Sequence, residues 1–145
     1  MTAIGDIRNG LATRLETIAG LHVFDTGEWP DQITPPAALI KPVSANHQIA
    51  FGAAGDQRTE HAFEVHVLVS LKGGLVNAQR ALDLYAANTG VSSIYQAIAG
   101  DRYLGALVNY TQIRGWRDYD TVEVRLGDEA QEFLGAVVDV EVDAP

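Results

Sequence analysis

Apolar residues return at intervals of three and four in the first segment of the chain: Ile4, Ile7, Leu11, Leu15 and Ile18. In an α-helix that spacing places them on one stripe, so residues 2–18 read as an amphipathic helix with one face in a core. Gly20 follows the last periodic position and can take the left-handed conformation that ends a helix, with a short strand, residues 21–24, after it. In residues 60–71 the period changes to two. His61, Phe63, Val65, Val67, Val69 and Leu71 alternate with Glu60, Ala62, Glu64, His66, Leu68 and Ser70, as in a strand with two unlike faces. Helical spacing resumes at Leu75, Ala78, Leu82, Tyr85 and Ala86, between Lys72-Gly73-Gly74 and Asn88-Thr89-Gly90. A shorter helix carries Ile94, Tyr95 and Ile98, with Ser92 or Ser93 as its cap.

The remaining apolar runs are short and read as strands. Residues 37–40 form one, stopped at Lys41-Pro42, and residues 45–51 form another. Residues 107–116, 121–126 and 131–142 form three more, the last two joined hairpin-fashion across Gly127-Asp128-Glu129-Ala130. In the final strand Leu134, Ala136, Val138, Val140 and Val142 share one face, opposed by Gly135, Val137, Asp139, Glu141 and Asp143. Residues 25–36 hold three of the five prolines and read as a rigid surface loop, and residues 52–56 as a flexible one. The order helix, strands, helix pair, strands predicts an α+β fold, a mixed, largely antiparallel sheet with helices packed on one face, in a single domain over residues 1–145. Long strands leave an edge whose unpaired backbone groups another subunit can use, and acidic side chains on the last strand are expected to discourage random pairing there.

Composition narrows the function classes. A chain of 145 residues with 47% hydrophobic and 20% charged residues can bury enough apolar surface to offset its ordering entropy. It has no cysteine, which excludes disulfides, thiolate metal sites and cysteine nucleophiles. No apolar run approaches the roughly 20 residues of a membrane span, and the N-terminus lacks the basic start and apolar region of an export signal, so cytoplasmic synthesis is expected. The net charge of −9 argues against a surface that tracks nucleic-acid phosphates. It remains compatible with DNA passing nearby without adhering, since like charges repel within a Debye length of about 8 Å.

Candidate chemistry is sparse. His22, His47, His61 and His66 form no local metal-ligand spacing, and His61 and His66 point to opposite faces of their strand. Ser44, Ser70, Ser92 and Ser93 lack a nucleophile elbow, and the last two sit where a helix cap belongs. Asp25 and Glu28 beside Trp29 imitate the carboxylate pair of a glycosidase, but acids in a proline-rich loop are ordinarily solvated. Gly52 and Gly55 lack the lysine and the strand-to-helix setting of a phosphate loop. No catalytic, cofactor or metal site is assigned. Aromatic and arginine residues, the types richest in interface hot spots, cluster at Arg114, Trp116, Arg117 and Tyr119, where covering the core at a strand end is an equal reading. Trp29, Pro30 and Ile33 in the first loop and Ile49 and Phe51 near the second are further interface candidates, as apolar groups expected to be exposed.

Several phrases stand in a familiar order: G-L-H-V-F-D after the first helix, P-P-A-A-L-I-K-P, the strand E-H-A-F-E-V-H-V-L-V-S-L, then A-Q-R-A-L-D-L-Y and G-V-S-S-I-Y-Q-A-I-A-G-D. Over nearly its whole length the chain resembles the tail terminator proteins of long-tailed phages and, more distantly, minor tail protein U of lambda-like phages. The resemblance implies a cofactor-free structural protein of the virion. It would form a hexameric ring on the last ring of the tail tube, halt tube polymerisation and meet the head-tail connector protein. Its partners would be copies of itself, the tail tube protein and that connector, with genomic DNA crossing the channel and no membrane involved. Another neck component, a tail-completion or head-closure protein, stays open as an alternative, as does a small hydrolase or ligand-binding domain.

Overall fold

The computed structural model describes residues 3–49 and 57–145. The elements there are α1 (Ile4–Leu15), β1 (His22–Phe24), β2 (Ala37–Ile49), β3 (Gln57–Ser70), α2 (Leu75–Ala86), α3 (Ile94–Ala99), β4 (Tyr110–Leu126) and β5 (Glu129–Ala144). The strands form one mixed sheet in the order β1-β2-β3-β5-β4, parallel only between β1 and β2. This is the expected α+β class. Among the described residues no helix is long and apolar enough to cross a membrane.

All three helices lie on one face of the sheet. Ile7, Leu11, Leu15, Ala78, Leu82, Tyr85, Ile94 and Ile98 meet Ala38, Ile40, Phe63, Val65, Val67, Val138, Val140 and Val142 in a single buried cluster. The two alternating strands supply it with the residues their period assigns to one face. Ser93 caps α3: its Oγ accepts the amide of Gln96 at 3.1 Å and donates to the carbonyl of Ala87. A smaller cluster sits on the opposite face, where Ile33 joins Ala37, Leu68, Val124 and Phe133, with Phe24, Trp29, Val122 and Leu126 packed around them. The proline-rich loop thus covers one end of the sheet face that bears no helix among the described residues.

Three strand assignments change. β2 does not stop at Lys41-Pro42 but runs through it to Ile49, with a bulge between Pro42 and Ser44. Proline is tolerated at a bulge or an open edge, and β1 covers β2 only as far as Leu39. The two strands expected in residues 107–126 are one, β4, interrupted between Ile113 and Gly115 and between Arg117 and Asp120, where Asp118 has φ 58°. The last strand is not an edge. β5 lies between β3 and β4, as suits a strand with Phe133, Gly135 and Val137 buried on the face opposite Leu134, Ala136 and Val138.

The two hairpins pass beyond the body of the sheet at opposite ends. β3 leaves β5 at Ser70–Phe133, while β4 and β5 stay paired from Glu123–Glu132 to Leu126–Glu129. At the other end β5 finishes against Thr59, while β2 and β3 remain paired to Ile49–Gln57.

Candidate protein-interaction surface

The face of the sheet without helices carries an ordered array of charges. In the second half of β5 the acids Asp139, Glu141 and Asp143 alternate outward, and arginines on the strands to either side reach each of these three. Arg58 on β3 bonds Asp143, with Nε at 3.2 Å from Oδ1. Arg114, the extra residue of the first β4 bulge, places Nη2 at 2.6 Å from Glu141. Arg117 gathers three carboxylates: Asp139 at 2.9 and 3.2 Å, Asp118 at 2.6 Å, and Glu64 across two strands. His66 meets the other oxygen of Glu64 at 3.2 Å. These hydrogen bonds, with the carboxylate charges behind them, raise the pKa of each of the three guanidinium groups. Such solvent-exposed pairs add little stability; they tie β3, β5 and β4 together across this face, while the register is set by the apolar residues buried on the other. The acidic face of β5 is therefore neutralised in place, and does not serve as an edge guard.

A second constellation lies at the start of β4. Arg102 donates from Nη1 to the hydroxyl of Tyr110 at 2.7 Å and from Nη2 to that of Tyr95 at 3.1 Å. Its guanidinium also stacks on both rings, 5.4 and 5.7 Å from their centroids. It has no ion pair among the described residues. Asp101 beside it is occupied with the amides of Tyr103 and Gly105. The cation is thus held in one orientation with no carboxylate against it.

Comparison with protein-family models finds no match. Comparison with curated proteins finds none either.

The interface candidates named from the sequence fall in separate places. Ile33 is buried, 7% exposed, in the smaller cluster, so the exposure expected of it does not hold. Trp29 is half-buried, its ring edge-on to Phe24 at 5.9 Å, and Pro30 beside it is half-buried too. A proline-rich loop without its own backbone ladder holds its shape by sinking apolar side chains into the sheet, which is why these residues turn inward. Ile49 ends β2 opposite Gln57, and Phe51 lies outside the described residues. Arg114 and Arg117 point to the charged face, whereas Trp116 packs half-buried against the main cluster on the helix side. Tyr119 leans on Trp116 with ring centroids 6.3 Å apart and stays 52% exposed. Burial, and then the charge of Asp83, raise the pKa of its phenol. The four neighbours in sequence thus serve two faces. Arg102, Tyr95 and Tyr110 were not singled out in the sequence, because they come from a loop, a helix and a strand and share no period.

Among the described residues no group of His, Asp or Glu is placed to hold a metal ion. The histidines stand as their strand positions require: His66 on the charged face, and His61, 6% exposed, on the helix face with no partner for Nδ1. Burial first, and His47 second, hold the His61 pKa below its ordinary value of about 6.5. The neutral ring is therefore the folded form. Its contribution to stability is complete above pH ~6.5 and is lost as pH falls toward the lower folded pKa, because the unfolded chain binds the proton first. Urea-unfolding midpoints between pH 7.5 and pH 5, a window set by those general pKa values, are expected to fall less steeply in His61→Leu than in the parent. Equal slopes would remove His61 as the cause.

Proposed function

We propose that the chain is a structural subunit of the neck of a long-tailed phage. In this reading six copies close into a ring that caps the tail tube, stops its polymerisation and joins the tail to the head connector. It acts by binding, without cofactor or catalysis, and DNA crosses the ring without sequence-specific contact, which the net charge of −9 favours. The order of segments quoted above supports the tail terminator reading. The observation that carries a ring of some kind is the open sheet, which among the described residues has free margins on both sides and hairpins passing beyond its body at opposite ends. A ring requires unlike surfaces on the two sides of one subunit, so that each copy meets its neighbour head to tail.

The test is assembly with and without the protein. Tails made in its absence are expected to vary in length without limit, and adding the purified chain to tube ends is expected to produce rings there by negative-stain imaging. Tails of normal length left unattached to filled heads would instead assign the chain to head closure. A chain that sediments as a monomer and never decorates tube ends would overturn the proposal.

A further inference from the structure

We infer that neighbouring copies of this chain join sheet to sheet, the outer edge of β4 at residues 110–112 in one copy pairing antiparallel with the outer edge of β2 at residues 44–46 in the next. The inference rests on the ring reading above and specifies its joint.

The strand order leaves two open margins. β4 is the last strand on one side, and among the described residues no backbone hydrogen bond from another segment reaches its outer edge. On the other side β1 pairs only with Ala37, Ala38 and Leu39, so among the described residues β2 has no outer strand partner from Ile40 onward. The registers place these open stretches at one level. One row runs Ser44, Ala62, Glu141, Gln112, and another runs Asn46, Glu60, Asp143, Tyr110. A copy set beside the first without stagger would bring Ser44 opposite Gln112 and Asn46 opposite Tyr110.

Direction and irregularity select the same joint. Three successive antiparallel pairings separate β2 from β4, so the two run in opposite directions. A neighbour in the same orientation then offers β2 antiparallel to β4, the stronger ladder, and joins unlike edges as a head-to-tail ring needs. Both margins are broken close to this window, β2 at Val43 and β4 at Arg114 and again at Asp118. Bulges re-aim backbone groups and block pairing, so the regular stretches between them are what a partner can use. Charge agrees with shape. Arg102, anchored on Tyr110, faces no carboxylate, and Glu60, one strand in from Asn46, is exposed and makes no salt bridge among the described residues. Glu60 acts on Arg58 and Arg114 of its own copy through its charge alone, both being bonded to other carboxylates, and the joint brings it toward Arg102 of the next copy.

The absence of cysteine makes the joint directly testable. Side chains directly opposed across an antiparallel pair have Cβ atoms about 4.5–5.5 Å apart, close to the span of a disulfide. Ser44→Cys and Gln112→Cys are made as separate full-length chains, mixed under assembly conditions and mildly oxidised; Asn46→Cys with Tyr110→Cys probes the next row. Each mixture is expected to give a cross-linked heterodimer on the order of tenfold above Val76→Cys mixed with Gln112→Cys, since paired thiols share a high effective concentration. The chain carrying both Ser44→Cys and Gln112→Cys should give a covalent ladder ending at the ring. Oligomers that sediment normally but cross-link in neither pair would overturn the edge joint while leaving the ring. Cross-links confined to single-variant samples would overturn it too, by revealing a symmetric contact. Failure to oligomerise alone or on tube ends would overturn the joint and the ring together.

Discussion

Replacing Phe133 by Ala is expected to lower the unfolding free energy by about 3–5 kcal/mol, the usual cost of emptying an aromatic site in a core. Phe133 is 1% exposed and is the largest buried member of the small cluster on the charged face. Its neighbours there are few, and two of them, Ile33 and Trp29, belong to a loop that has no strand ladder of its own. The loss therefore has a local signature besides its size. In a Trp116→Phe background, where Trp29 is the remaining tryptophan, its emission should shift to the red in the folded variant before any urea is added. Phe63→Ala, in the main cluster, should cost a similar amount and leave that emission unchanged. A loss below about 1 kcal/mol, or a tryptophan that does not move, would mean that Phe133 is not what holds the loop.

Gly135→Val is the second large effect. A Cβ at Gly135 would stand 2.9 Å from Cδ2 of Leu68, 3.0 Å from Cγ2 of Val122 and 3.2 Å from the carbonyl oxygen of Val67. The first two contacts are side-chain tips that can shift, but the third is backbone in the neighbouring central strand and cannot. Two effects compete in Gly135→Ala. Removing a glycine from a strand gains about 0.5–1 kcal/mol of unfolded-state entropy, while overpacking costs about 1–3 kcal/mol. The alanine variant should be modestly destabilised. Valine adds two further methyl groups to the same space and should lose about 3 kcal/mol or more, read as a fall in urea midpoint and in soluble yield. An alanine variant more stable than the parent would show that the strands have room to part.

Much of this architecture was legible in the order of residues. α1 and α2 were visible because the apolar period of 3.6 has no competitor at Ile4–Leu15 and Leu75–Ala86, and β3 and β5 because one face of each is apolar at every second position, even where Leu68, Phe133 and Val137 make the other face apolar too. Where reading failed, a local irregularity hid a longer element. Pro42 resembles a stop until β1 is seen to end at Leu39, and the extra residues at Arg114 and Asp118 cut the alternation of β4 into two apparent strands. The order of strands across the sheet was not legible, and with it the partners of the β5 acids, since pairing of Arg58 with Asp143 joins residues far apart in sequence. Of the candidate surface, Arg114 and Arg117 were found by composition. Their carboxylates, and the Arg102 clamp, depend on tertiary pairing that no local pattern records. Ile33 was misjudged as exposed because a loop's polarity says nothing of which face of the sheet it covers.

The hairpin that carries β4 and β5 past β3 sets Glu123 directly opposite Glu132, and like charges so placed push a two-stranded ribbon apart. That extremity keeps its shape through Val122 and Val124 beneath the first loop. Among the described residues backbone pairing is therefore densest where the four long strands run side by side and thinnest where β4 and β5 continue alone. In the ring proposed above, that extremity is where a change of angle between neighbours is expected to be taken up.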